Sequence, residues 1–122
     1  MGYMRHHTIV VSSWDREKIE NARTKALELF SALQDGAIVS ELTPKATNGF
    51  SSFFVAPDGS KEGWDTSDNN DAARKTFTDW LDSNRYVDNS TSLDWVEVQF
   101  GDDDCETKIC RDSDQRARES KL

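Results

Sequence analysis

The stretch Thr8-Ile9-Val10-Val11-Ser12-Ser13-Trp14-Asp15 and the spaced apolar residues after it, Ile19, Ala22, Ala26, Phe30 and Leu33, decide the fold. The first four residues are β-branched and read as a strand. Ser13 is placed to cap a helix, and Asp15 and Glu17 lie near the positive end of its dipole. The apolar residues then recur at three- and four-residue spacings, with Leu27 and Leu29 on the flanks, which predicts an amphipathic helix. Asp35-Gly36 closes it, Gly36 being suited to a left-handed cap.

Working outward, Ala37–Leu42 reads as a second strand and Phe50–Val55 as a third, separated by the turn-rich Thr43–Gly49. Pro57-Asp58-Gly59-Ser60 is a turn signal, and Lys61–Trp64 could return as a short strand. Asp65-Thr66-Ser67-Asp68 offers helix caps ahead of the stripe Ala73, Phe77, Trp80 and Leu81. Leu93–Phe100 alternates as a last strand. The order strand, helix, strand, strand, helix, strand predicts an α+β, two-layer ferredoxin-like sandwich (βαββαβ), its antiparallel sheet carrying two helices on one face. A Pro57–Trp64 hairpin adding a fifth strand is the alternative. The expected domain covers 1–104, and 105–122, polar and without period, is expected to be a flexible C-terminal tail.

The 122 residues fit one domain, and 35% hydrophobic content with 10% aromatics excludes the composition of a disordered chain. No apolar run approaches a membrane span, and Met1–His7 lacks a secretory pattern, so the expected location is the cytoplasm. There Cys105 and Cys110 would be thiols. Fifteen basic against twenty-three acidic side chains leave a charge of −8, which argues against direct nucleic-acid binding. It fits a basic protein surface, or a small ligand in a local pocket.

Three places could carry chemistry. If Ile9 and Val11 face the helices, Val10 faces outward, and Trp95, Glu97 and Gln99 are expected to share that open sheet face. Such a face either packs two copies into a homodimer or stacks a ligand. In the loop, Ser60 offers a hydroxyl, Lys61 a charge and Trp64 a stacking surface, a combination suited to a nucleotide-like ligand. Together Ser60, Lys61, Trp64, Trp95, Glu97, His6 and His7 form the expected ligand-binding set. The third place is the sheet end where His6 and His7 meet the last strand. Asp102, Asp103 and Asp104, or Cys105 and Cys110, could complete a divalent metal site there, and with it a small metal-dependent phosphoesterase. His6-His7-Thr8 has half of a two-histidine phosphoesterase motif, but no later histidine supplies the other half. No nucleophile motif, catalytic residue or cofactor motif is legible.

The stretches Met4-Arg5-His6-His7, Ser52-Phe53-Phe54-Val55-Ala56-Pro57-Asp58-Gly59-Ser60-Lys61-Glu62-Gly63-Trp64 and Ser92-Leu93-Asp94-Trp95-Val96-Glu97-Val98-Gln99-Phe100-Gly101-Asp102-Asp103 resemble small accessory proteins of tailed bacteriophages. The resemblance spans about a third of the chain and brings no catalytic residues. It implies an acidic accessory protein in the bacterial cytoplasm, a host-takeover or counter-defence factor that blocks a host protein or sequesters a nucleotide-like ligand. A structural phage component is the further alternative.

Overall fold

The computed structural model describes residues 6–33, 36–61, 63–101 and 106–114. Strand β1 (His6–Ser13) leads into helix α1 (Arg16–Ser31). After two short helical turns come β2 (Ser51–Val55), α2 (Asp65–Ser83), β3 (Asp94–Phe100) and β4 (Lys108–Asp112). The architecture is α+β. Its four-stranded sheet has the order β2-β1-β3-β4, and every neighbouring pair is antiparallel. Among the described residues no helix is long and apolar enough to cross a membrane.

Two elements depart from expectation. The stretch 37–42 makes one bridge, Val39 to Val55, in place of a strand. Its backbone still runs along β2: Ser40 N donates to Phe54 O at 2.9 Å, Thr43 N to Ser52 O at 2.9 Å, and Ala56 N to Ile38 O at 2.8 Å. The hydroxyls of Ser40 and Thr43 accept from the Phe54 and Ser52 amides, and this side-chain capture of ladder donors breaks the regular pattern. The other departure is β4. Lys108–Asp112 pairs with β3, where a flexible tail was expected, and residues 115–122 lie outside the described residues. The strand is short, polar and at the sheet edge, so it carries no alternation of its own to reveal it.

Strand β1 lies at the centre of the sheet, and its register sets both faces. Val11 pairs with Phe53 and Trp95, and Ile9 with Val55 and Glu97. All of these are buried, and they pack with Ile19, Ala22, Ala26 and Phe30 of α1 and Ala73, Phe77 and Leu81 of α2. The other parity, Val10, Phe54, Val96 and Val98, forms the opposite face. Trp95, Glu97 and Gln99 therefore sit on the helix-covered face, not on the open face expected for them.

Helix α1 is capped by Asp15, two residues later than the Ser13 expected, its carboxylate accepting from Lys18 N at 3.2 Å. The Ser13 hydroxyl instead accepts from Asp15 N at 2.9 Å. The Tyr86 hydroxyl donates to the second Asp15 oxygen at 2.6 Å and lies 2.9 Å from Ser92 Oγ. This ties the loop after α2 to the start of α1. The Tyr86 hydrogen bond, with help from the Lys18 amide, holds the Asp15 carboxyl below its ordinary value of 3.8. A depressed carboxyl contributes stability that is present above that value and is lost as pH falls through the folded pKa. Tyr86→Phe is expected to lower the urea midpoint of unfolding at neutral pH. The difference from wild type should shrink below pH 3.8, which urea unfolding at pH 7 and pH 3 will measure.

Candidate functional site

The centre of the site is Glu97, a carboxylate 2% exposed in the middle of β3. Removing a charge from water costs several kcal/mol, so it must be countered on the spot. Three elements do this. From β4, Arg111 donates Nε to Glu97 Oε1 at 2.8 Å and brings a second guanidinium nitrogen to the same oxygen. From α2, Arg74, itself only 3% exposed, places Nε 3.9 Å from Oε2. From β1, His7 places Nδ1 3.4 Å from Oε2.

Arg74 extends the cluster outward. It occupies a sheet-facing position of the α2 stripe and pairs with Asp58 at 3.3 Å and with Asp71. Asp58 in turn accepts from the Ser60 hydroxyl. The loop candidate Ser60 and the sheet candidate Glu97 are thus the two ends of one polar chain through Asp58 and Arg74. Three carboxylates against two guanidinium groups leave 2 − 3 = −1 among the ion-paired groups, before His7 is counted.

A β-bulge completes the arrangement. The β3–β4 register shifts between Glu97 and Val98: Glu97 faces Arg111, and Val98 faces Ile109. Cys110 is the extra residue, and a bulge turns such a side chain out of simple alternation. Its Sγ lies 3.9 Å from His7 Nδ1. Burial first, and then the Glu97 charge, push the Cys110 thiol above its ordinary 9.0. That keeps it protonated at neutral pH and makes it a poor nucleophile. Cys110 and Glu97 also approach the same ring nitrogen of His7, whereas a Cys–His–acid relay needs both nitrogens. Burial pushes the Glu97 carboxyl up, but His7 and Arg111 together outweigh it and hold it below 4.5.

The remaining expected site residues lie elsewhere. His6 and His7 are neighbours on a strand, so they point to opposite faces. The His6 ring lies tilted against Phe100, with centroids 5.7 Å apart, and does not join His7. Trp95 is in the core, packed between sheet and helices, and is not available to stack a ligand. Trp64 stays half-exposed at the start of α2, with the Lys61 ammonium 5.9 Å from its ring centroid. Asp102, Asp103, Asp104 and Cys105 lie outside the described residues. Arg74, Arg111 and Asp58 were not among the expected site residues, whereas Cys110 is one of the residues expected to complete a metal site with the histidines. Arg74 carried one legible signal, a charged residue within the apolar stripe Ala73-Phe77-Leu81.

The open sheet face forms a second feature. Val10, Phe54 and Ile109 are 38%, 47% and 62% exposed, with Val96 and Val98 half-buried between them. Beside Phe54 runs an apolar groove of about 480 Å³, lined by Thr8, Val10, Ser40, Thr43, Ser52 and Phe54 among others. At the far side the face ends in Asp94, Asp112 and Asp114, which border a shallower hollow with Val10 and Val96. Burial and the neighbouring Asp114 raise the Asp94 carboxyl above its ordinary 3.8.

Arg74→Met is expected to destabilise the fold by about 3 kcal/mol or more, because it leaves the buried Asp58 without its guanidinium and takes one of two from Glu97. Adding Glu97→Gln should recover part of that loss, since Arg111 is exposed enough to turn to water. A double-mutant cycle in urea will show a favourable coupling, and additive losses would refute the linkage. No protein-family model matches the chain, nor does any curated protein or solved structure.

Proposed function

We propose that this chain acts by binding another protein through the open face of its sheet, and that it is not an enzyme. The observation that carries this reading is the apolar floor of Val10, Phe54, Val96, Val98 and Ile109 edged by Asp94, Asp112 and Asp114. Exposed apolar surface of this continuity marks an interaction site. The acidic edge and the net charge of −8 select the partner's chemistry: an apolar patch rimmed by Lys or Arg. A second copy of the chain would bring the same carboxylates and the same net charge, a poorer electrostatic match. The raised thiol of Cys110 and the shared His7 nitrogen favour binding over nucleophilic catalysis.

The resemblance to phage accessory proteins extends the proposal to a bacterial host protein as the blocked partner, met in the cytoplasm. The frame is read as a split βαβ layout with one added strand. In support, 38–43 runs along β2, so that this stretch, β2, β1 and β3 follow the spatial order of that fold, and β4 extends the edge.

Val10→Glu with Phe54→Glu tests the face without touching the core. Wild-type protein should sediment as a monomer and retain from bacterial extract a basic protein that rising salt releases. The double variant should keep its melting temperature within a few degrees and lose at least about tenfold in retention. A concentration-dependent dimer that Phe54→Glu dissolves would assign the face to a second copy and overturn the proposal. Undiminished retention by the double variant would place binding on another surface.

A further inference from the structure

We infer that His7, Glu97 and Cys110 form a binding site for a zinc-type divalent ion, which clips the edge strand β4 to the centre of the sheet. One ligand atom from each residue converges: His7 Nδ1, a Glu97 carboxylate oxygen and Cys110 Sγ all lie within 4.8 Å of one another. The separations identify the occupant. His7 Nδ1 to Glu97 Oε2 is 3.4 Å, beyond the usual 2.7–3.2 Å of an N–H···O hydrogen bond. Cys110 Sγ to His7 Nδ1 is 3.9 Å, also long for a direct bond. Around a tetrahedral ion with Zn–N and Zn–O near 2.0–2.2 Å and Zn–S near 2.3 Å, neighbouring ligand atoms stand about 3.3–3.7 Å apart. The two edges that meet at His7 are therefore within a few tenths of an ångström of such a site, and the Glu97–Cys110 edge, within 4.8 Å, closes by up to about 1 Å when the ion binds.

The surroundings agree with this assignment. Glu97 uses Oε1 for Arg111, which fixes the carboxylate, and turns Oε2 toward His7 with Arg74 Nε 3.9 Å from the same oxygen. Partners of this kind orient ligands at metal centres. The bulge is what delivers Cys110 to the cluster; regular pairing would leave β4 with Arg111 alone opposite Glu97. A nitrogen, sulfur and carboxylate donor set selects zinc and its neighbours over magnesium or calcium, which prefer oxygen alone. The Cys110 thiol gives up its proton to solvent as the Zn–S bond forms. Three protein ligands leave one corner for water. Because the ligands come from β1, β3 and β4, the ion's consequence is structural: it holds the edge strand in register.

The test uses tag-free, full-length protein stripped of metal, with Zn²⁺ and Co²⁺ as the probes. One Co²⁺ per chain should bind, giving a sulfur-to-cobalt charge-transfer band and the intense visible absorption of tetrahedral cobalt. Cys110→Ser should abolish the charge-transfer band, His7→Gln should weaken binding at least about tenfold, and Cys105→Ser should leave both unchanged. Zn²⁺ at a hundredfold excess over its Kd should raise Tm by about 10 °C in wild type and not in Cys110→Ser. X-ray absorption on zinc-loaded wild type, which needs no variant to fold, should count one sulfur and otherwise nitrogen or oxygen. No stoichiometric uptake, a band that survives Cys110→Ser, or a shell with two sulfurs or none would each overturn the site. Binding of a partner at the open sheet face is read separately, so either proposal can fail without the other.

Discussion

A single buried carboxylate organises much of this molecule. Glu97 sits in the middle of β3 on the face the helices cover, opposite Ile9 of the central strand. A charge in that position is tolerable only if cations reach it from elements remote in sequence. Arg111 reaches it from β4 and Arg74 from α2, and each contact ties its element to the sheet. The rest follows from these ties. β4 stays at the edge although it buries little apolar surface, and the Asp58 loop is drawn in because Arg74 has donors left for a second carboxylate. The apolar half of the covered face, around Phe30, Phe53 and Phe77, supplies the bulk of the burial. The polar half determines which elements meet.

The same division separates two surfaces with different chemistry. On the covered face, a polar end gathers His7, Glu97 and Cys110 within reach of one another. On the open face, hydrophobic side chains remain at the surface beside a groove, with carboxylates at one side. The two are linked through β3 and β4: Glu97 and Arg111 look inward, while Val98 and Ile109, paired in the same ladder, look outward. Whatever holds β4 in register therefore also shapes the floor of the open face. A clip at the bulge and a partner on the opposite side would both act on the same edge strand.

Legibility varied with how local the deciding interaction was. The α1 spacing of Ile19, Ala22, Ala26 and Phe30 is a property of one segment and appears in the structure as the buried stripe. The same holds for β1, β2, α2 and β3, whose limits shift by only a residue or two. β4 was not legible, because a short polar edge strand is held by its neighbour's ladder and by Arg111, and neither leaves a period in the sequence. The stretch 37–42 looked like a strand from its β-branched residues, but hydroxyls of Ser40 and Thr43 take ladder positions and leave one bridge. Of the candidate site, His7 and Cys110 are both expected at a metal site at the sheet end, Glu97 is expected on the open face and lies on the covered one, and Ser60 joins them only at the far end of a chain through Asp58 and Arg74.

By itself, then, the sequence determined β1, α1, β2, α2 and β3 in order, the acidic balance of the chain and the presence of apolar residues on both sides of the sheet. It could not determine which side of β3 is covered. Alternation has a period of two, and both sets, Trp95 with Glu97 and Gln99 or Val96 with Val98, contain apolar residues. Only the pairing with β1, and the arginines that make a buried Glu97 tolerable, decide between them. The meeting of His7 with Cys110, 103 residues apart, is likewise set by strand order and by a one-residue bulge. Such convergence is a property of cross-strand register, which no spacing along the chain records.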